Sequence, residues 1–152
     1  MIDQFGYRRL DNKVAVLVNP QVGYNSTDFY VPGKELQVRC HKDDSLVFCG
    51  SPVIWNGGSV CPSSGDQGWW FDFSQVQTTG KYYIYDTDND CQSYPFRIAD
   101  DVYDDVLKAA LKIFYYQRLG TSLDHRYAGE HYADEAAFIG YRQDLEARSV
   151  SN

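Results

Sequence analysis

Residues 1–98 alternate between hydrophobic and polar positions in short runs, and clusters of Gly, Pro, Asn and Asp separate these runs. Alternation over about four to eight residues is typical of half-buried β-strands. The runs predict strands at Ile2–Tyr7, Lys13–Val18, Glu35–Cys40, Leu46–Cys49, Val53–Trp55, Trp69–Phe73, Lys81–Asp86 and Tyr94–Ile98. Because no helical pattern falls between them, we expect an antiparallel β-sandwich.

The period of the hydrophobic pattern changes at Ala99. From Val102 onward, apolar residues recur at the spacing of an α-helix. Asp100 and Asp101 are predicted to cap this helix, and the two aspartates that follow at 104 and 105 suit its positive N-terminal end. A strand that runs directly into a helix joins two different architectures.

One short motif indicates the type of sandwich. Gly80-Lys81-Tyr82, at the head of a predicted strand, is similar to a tyrosine corner, in which the Tyr hydroxyl bonds to backbone upstream. Antibody domains carry a Cys two residues after this Tyr, whereas Ile84 stands here. We therefore expect an immunoglobulin-like topology without the antibody disulfide.

Composition and charge narrow the classes of partner. The chain has 14 Lys and Arg against 21 Asp and Glu, for a formal charge of −7. Nucleic acids and anionic membranes bind basic faces, so we expect neither as a partner. No apolar run reaches the roughly 18 residues of a membrane span, and the first ten residues lack the apolar centre of a signal peptide. The chain is therefore either cytosolic or exported by a signal outside this sequence.

The cysteines and acidic clusters give no specific metal site. Cys40, Cys49, Cys61 and Cys91 permit two disulfides in any of three pairings, or they are small buried hydrophobes in strands. Their spacing fits no zinc site. The turn at 86–90 begins like a calcium loop but lacks the later Gly and Glu of that motif. We predict no metal and no cofactor.

Several motifs in fixed order carry a family resemblance. Ser93–Gly120, with the sequence SYPFRIADDVYDDVLKAALKIFYYQRLG, resembles the passage from the N-terminal immunoglobulin-like module into the first barrel helix of family 9 glycoside hydrolases. These enzymes are cellulases and related β-glucan hydrolases with an (α/α)6 catalytic barrel. Seven further motifs resemble the family, and with this stretch they span nearly the whole chain: DQFGYR at Asp3–Arg8, KVAVL at Lys13–Leu17, NPQVGY at Asn19–Tyr24, WNGG at Trp55–Gly58, SGDQGWWFDFS at Ser64–Ser74, YAG at Tyr127–Gly129 and QDLEAR at Gln143–Arg148.

The resemblance implies a module without catalytic residues. The family's inverting mechanism uses a carboxylate base and a carboxylic acid, and its catalytic aspartates stand in an Asp-Ala-Gly-Asp motif. Neither that motif nor the family's late Glu has a matching position before Asn152, so no catalytic residue is carried over. We expect a truncated piece of an endoglucanase-type enzyme that is inactive alone. The parent protein is expected to be secreted or periplasmic.

The tryptophans predict a contact surface. In Trp69–Phe73, alternation places the first, third and fifth residues on one face and Trp70 on the other. One face must form the core, which leaves Trp70, together with Trp55, as an exposed platform. Sugar-binding modules use such platforms, but amphipathic aromatics are also favoured at protein interfaces. We favour an interdomain interface over β-glucan binding.

The predicted helix requires a further partner. Its apolar residues lie on more than one side, and a single sandwich can cover only one of those sides. We predict a β-sandwich over 1–99 and, over 100–152, an incomplete part of the catalytic (α/α)6 domain. The uncovered side would pack on the rest of the barrel, on a second copy, or in aggregates. The interface is predicted to include Trp70, Trp55, Tyr103, Leu107, Phe114 and Tyr115.

Three hypotheses follow for the function. The first is a non-catalytic module that packs on and stabilises the catalytic barrel of a β-1,4-glucan hydrolase. The second is a carbohydrate-binding module in its own right, which requires a planar row of exposed aromatics. The third is an interaction protein that covers its helix by dimerisation. The apolar surface of the helix favours the first and third hypotheses.

Overall fold

The computed structural model describes residues 1–118 and 120–137, and it divides into two units, of which the first spans Met1–Tyr103 and the second begins at Asp104. The strands of the first unit are β1 (Val14–Pro20), β2 (Leu36–Cys40), β3 (Leu46–Gly50), β4 (Val53–Ile54), β5 (Asp66–Asp72), β6 (Gly80–Asp86), β7 (Cys91–Gln92) and β8 (Phe96–Ile98). A tight 3-10 turn at Trp55–Gly58 follows β4. The helices of the second unit are α1 (Asp104–Tyr116) and α2 (His125–Ala128).

The strands form two antiparallel sheets. One sheet has the order β1-β5-β4, and the other has the order β3-β2-β6-β7, with β8 also paired to β6. The predicted fold class is confirmed: a mostly β, immunoglobulin-like antiparallel sandwich is followed by a helical segment. The predicted boundary between 99 and 100 stays a prediction.

Aromatic rings from both sheets form the core. Phe73, which follows β5, lies 5.3 Å from Phe96 of β8 between ring centroids, and Tyr7 contacts both rings edge-on at 5.2 and 5.5 Å. Phe71 and Tyr82 extend this cluster at the two ends. Aromatic pairs at such distances add roughly 0.5–1.5 kcal/mol each beyond their buried area. The cluster therefore holds the two sheets together.

The tyrosine corner is present. The Tyr82 hydroxyl donates a hydrogen bond to the Thr78 carbonyl at 3.0 Å. A Cβ atom at position 80 would lie 2.8 Å from that hydroxyl, closer than contact allows. Gly80 is therefore needed for the Tyr82 ring to fold back along its own strand.

The first predicted strand is wrong. Ile2–Tyr7 forms no regular strand; only Tyr7 makes an isolated parallel bridge, to Ile98. The physical reason is Gly6, whose φ of +104° turns the backbone out of the extended conformation that a ladder requires. Within this segment Tyr7 enters the core and Ile2 packs against it, whereas Gln4 and Phe5 are exposed.

Several element boundaries also differ from the prediction. Trp55 belongs to the 3-10 turn rather than to β4, because Asn56 has a positive φ of 47° that ends the strand. Asp66 begins β5 three residues before the predicted start at Trp69, since pairing with Pro20 extends the strand beyond its hydrophobic residues. The short strand β7 was not predicted.

The predicted helix caps are wrong. α1 begins at Asp104, so Asp100 and Asp101 precede its first turn and instead bind Arg9 and Arg97. Val102 is buried in the sandwich unit, which keeps this segment in a turn. The QDLEAR motif at 143–148 lies outside the described residues.

A buried lysine anchors the turn before β1. Lys13 is fully buried, and its Nζ donates to the carbonyls of Arg9 and Asp11 at 2.8 Å each. Burial lowers the pKa of Lys13 below its ordinary value. The first residue of the KVAVL motif thus fixes the loop that connects the N-terminal segment to the sheet.

Substitution of Tyr82 by Phe tests the tyrosine corner. Removal of the hydroxyl leaves the Thr78 carbonyl without this donor, so we expect a loss of about 1 kcal/mol in the free energy of unfolding. Urea denaturation monitored by circular dichroism measures the change. Tyr24→Phe is the matched control because Tyr24 is fully exposed. Equal stability of both variants would contradict a role for the corner.

Candidate functional site

The outer face of the three-stranded sheet is apolar. Val16 of β1, Trp70 of β5 and Val53 of β4 stand directly opposite one another across the sheet. Trp70 is 52% exposed, whereas its neighbour Trp69 is 8% exposed and faces the core. Alternation therefore separates the two tryptophans as the sequence predicts, and a row of apolar side chains faces outward.

Trp55 joins this face through a glycine. A Cβ atom added to Gly68 of β5 would lie 3.8 Å from the Cβ of Trp55. Trp55 therefore lies over the backbone of Gly68. The side-chain amide of Gln67 donates to the Gly58 carbonyl at 2.8 Å and so ties the turn at Trp55–Gly58 to β5. The WNGG and SGDQGWW motifs thus meet in one place.

A groove of about 290 Å³ runs between the two tryptophans. Its walls are Met1, Val16, Val18, Trp55, Cys61, Ser64, Asp66, Gly68 and Trp70. Apolar side chains make up most of the surface, and the polar groups stand at one end. Hydrogen bonds from Ser64 and Ser63 stabilise the Cys61 thiolate and lower the pKa of Cys61 to about 7.

The outer face of the five-stranded sheet is polar and largely covered by its own side chains. The Arg39 guanidinium lies 4.6 Å above the Tyr85 ring and bonds to the Gln37 amide oxygen at 2.7 Å. Arg39 also pairs with Asp44, which accepts from the Tyr83 hydroxyl. Because its polar groups are already paired, this face is the less suited of the two to bind an apolar partner.

Comparison with known proteins identifies the family. Residues 1–90 match the family model of the cellulase N-terminal ig-like domain. The chain belongs to this family. The predicted resemblance to the N-terminal module of family 9 glycoside hydrolases is thereby confirmed.

Solved structures agree with the assignment. A metagenome-derived glycoside hydrolase family 9 endoglucanase is 26% identical, with a TM-score of 0.64 over 99% of this chain and 27% of its own. A GH9 protein of Bacteroides ovatus is 27% identical, with a TM-score of 0.66 over 89% of this chain and 21% of its own. The similarity thus extends beyond the ig-like domain into the second unit.

Two sequence relatives are a cellobiosidase and a cellodextrinase by name. The cellulose 1,4-beta-cellobiosidase of Acetivibrio thermocellus is 37% identical over 139 residues, which cover 82% of this chain and 16% of that protein. The cellodextrinase of Butyrivibrio fibrisolvens is 39% identical over 69 residues, which cover 45% of this chain and 12% of that protein. The chain thus spans less than a fifth of the length of these curated relatives.

In the second unit, apolar residues of α1 are exposed to solvent. Leu107 is 59% and Phe114 is 70% exposed, and both lie on α1, two turns apart on one side. Tyr115 is half-buried instead, because its hydroxyl accepts from the Asp124 amide at 2.9 Å and its ring contacts Tyr127. These are three of the six residues predicted for an interface, and that role stays a prediction.

Tyr103 is engaged within the sandwich unit. Its hydroxyl donates to the Asp3 carboxylate at 2.7 Å and to the Gly6 carbonyl at 3.2 Å. The hydrogen bond to Asp3, with burial, raises the pKa of Tyr103 to about 12. Sequence reasoning missed this contact because the partners are almost a hundred residues apart.

The cysteines and the acidic turn do not form a reactive centre in the described part of the chain. All four cysteines are free thiols, and Cys40 alone is packed against the core. No group of three or more His, Cys, Asp or Glu residues there is arranged to hold a metal ion. None of the helices described has the length and hydropathy needed to span a bilayer.

The turn at 86–90 is an anchor rather than a calcium loop. The buried Asp86 carboxylate accepts from the Tyr30 hydroxyl at 2.8 Å, the Gly33 amide at 2.9 Å and the Asn89 side chain at 2.8 Å. Burial opposes the charge, but these donors outweigh it, so the pKa of Asp86 lies below its ordinary value. Asp86 therefore ties the loop before β2 to the turn between β6 and β7.

Acid should weaken this anchor. A carboxyl group with a depressed folded-state pKa stabilises the fold above its unfolded pKa of about 3.9, and this stabilisation is lost as the pH falls through the folded value. Asp86→Asn should cost about 1–3 kcal/mol at pH 7, and the difference from the parent should shrink below about pH 4. Urea denaturation from pH 7 to pH 2.5 measures both.

Asp28→Asn is the control for the acid series. Asp28 lies on an exposed loop, so the Asp28→Asn substitution should leave the free energy of unfolding nearly unchanged. A constant difference between Asp86→Asn and the parent across the whole pH range would contradict the proposed anchor.

Proposed function

We propose that this chain is the non-catalytic N-terminal module of a β-1,4-glucan hydrolase and that it packs on and stabilises the catalytic (α/α)6 barrel of the parent protein. The names of the relatives, endoglucanase and cellobiosidase among them, support the enzyme class. The apolar outer face with Trp70 supports the docking role. The parent protein would act outside the cell or in the periplasm, where polymeric glucan is accessible.

The exposed apolar face is the single observation that carries the docking role. Large apolar patches on soluble domains mark interaction sites, and domains of one chain bury surfaces of this kind against each other. Trp70, Val16 and Val53 form a continuous row without a polar side chain between them. A partner that covers this row removes its apolar surface from water, which is favourable.

Exposed residues on α1 belong to the same proposal. Leu107, Leu111 and Phe114 repeat at intervals of four and three residues, which places them along one side of the helix. All three are exposed in this chain. Neighbouring helices of a barrel would cover that side, as ridges on one helix pack into grooves on the next.

Trp70→Ala tests the docking role. Covering a half-exposed Trp at an interface contributes about 2 kcal/mol, so the variant should lower the melting temperature of the catalytic domain in the full parent protein. In the 152-residue chain alone, the same variant should leave the unfolding midpoint nearly unchanged. Differential scanning calorimetry measures both. A loss of stability in the short chain equal to that in the parent would contradict an interface role.

Carbohydrate binding is the second candidate function. The groove between Trp55 and Trp70 offers two aromatic surfaces, and Asp66 and Ser64 at its end can bond to sugar hydroxyls. Aromatic side chains stack on the apolar faces of pyranose rings, while carboxylates orient the hydroxyls. The groove presents two tryptophans rather than a longer planar row of aromatics, which ranks this function below docking.

Titration calorimetry with cello-oligosaccharides distinguishes the two functions. If the groove binds sugar, the 152-residue chain should release heat on addition of cellotetraose, and Trp55→Ala should abolish the signal. Tyr85→Ala on the opposite face serves as the control. Absence of binding at millimolar oligosaccharide would rule out this second function and leave docking as the role of the groove.

A further inference from the structure

The N-terminal segment and the exit of the sandwich are bound to each other along their length. The Tyr7 amide donates to the Arg97 carbonyl at 2.8 Å, and the Ala99 amide donates to the Tyr7 carbonyl at 3.1 Å. We call residues 3–9 together with residues 97–103 the clasp. It joins the DQFGYR motif to the last residues before α1.

A glycine allows the two segments of the clasp to approach closely. Gly6 has a φ of +104°, and a Cβ at this position would lie 2.4 Å from the Arg97 carbonyl oxygen and 3.2 Å from a methyl group of Val102. No side chain fits at such distances. Gly6 therefore brings its own carbonyl within reach of the Tyr103 hydroxyl.

Tyr103 closes the clasp at its far end. Its hydroxyl lies between the Asp3 carboxylate at 2.7 Å and the Gly6 carbonyl at 3.2 Å, and its ring contacts Phe5 edge-on. Asp3 is itself oriented, since its carboxylate accepts from the Phe5 amide at 2.9 Å and its own amide donates to the Tyr7 hydroxyl. Tyr103 is the last residue before α1 begins.

We propose that the clasp is a conformational strap: the Asp3–Tyr103 hydrogen bond fixes residues 100–103 to the sandwich and so couples the stability of the sandwich to the start of the helical unit. This inference deepens the proposed function, because a module that stabilises a neighbouring barrel must hold the point at which the chain leaves it. The strap itself acts within the 152-residue chain.

The ion pairs around the clasp are secondary to this hydrogen bond. Arg9 binds Asp100 at 2.8 Å, and Arg97 binds Asp101, but the side chains of both pairs are largely exposed. Exposed pairs are screened by water and salt and contribute little. The Asp3–Tyr103 end of the clasp is partly buried, and its hydrogen bond to a carboxylate therefore carries most of the coupling.

Native-state hydrogen exchange followed by mass spectrometry tests the strap. In the 152-residue chain, Tyr103→Phe should raise the exchange rate of the hydrogen-bonded amides of the clasp, at Gly6, Tyr7 and Ala99, about tenfold, since loss of a hydrogen bond to a carboxylate permits local opening. Peptides from β5 and β6 should exchange as in the parent. Arg9→Gln should change the rates less than about twofold.

Tyr94→Phe is the matched control, because the Tyr94 side chain is 88% exposed and the same atom is removed. Asp3→Ala and the double variant Asp3→Ala/Tyr103→Phe complete a double-mutant cycle. If the Asp3 carboxylate and the Tyr103 hydroxyl act through the same hydrogen bond, amides in the double variant should exchange no faster than in the faster single variant.

Three results would overturn the strap. They are unchanged exchange of the Gly6, Tyr7 and Ala99 amides in Tyr103→Phe, an equal increase in β5 and β6, and multiplicative effects in the double variant. None of these measurements involves a catalytic barrel. Failure of the strap is therefore distinguishable from failure of the docking role, which the Trp70 variant tests in the parent protein.

Discussion

The rest of this structure depends on the aromatic contact between the two sheets. Phe73 and Phe96 meet at the centre of the sandwich, and Tyr7 covers both with its ring edge. Their burial fixes which side of each strand faces inward. Because side chains alternate along a strand, the outward side is fixed at the same time. The surface available to a partner is thus a consequence of the core.

The two outward faces differ in chemistry for this reason. On β5 the inward Trp69 and Phe71 leave Trp70 outside, beside the valines of β1 and β4. On β6 the inward Tyr82 and Ile84 leave two tyrosines outside, where charged side chains cover them. One sandwich therefore presents an apolar face and a self-paired polar face. Of the two faces, the apolar one loses more by its exposure to water.

Two buried charged groups secure loops of the fold. Lys13 holds the turn before β1 through backbone carbonyls, and Asp86 holds the loop before β2 through a hydroxyl, a backbone amide and a side-chain amide. Each charge is buried with several partners, as burial of a charge requires.

The sequence by itself determined the features that depend on near neighbours. The alternation of hydrophobic and polar residues predicted that Trp69 faces inward and Trp70 outward. The change of period at Ala99 located the ends of α1 within two residues, and the tyrosine-corner motif predicted the hydrogen bond of the Tyr82 hydroxyl to upstream backbone. It failed for Ile2–Tyr7 because a local pattern cannot show that Gly6 turns the backbone. Only the tertiary structure decided that Trp55 lies over Gly68 and that Tyr103 bonds to Asp3. Those partners are distant in the chain, and their contact depends on how the sheets pack.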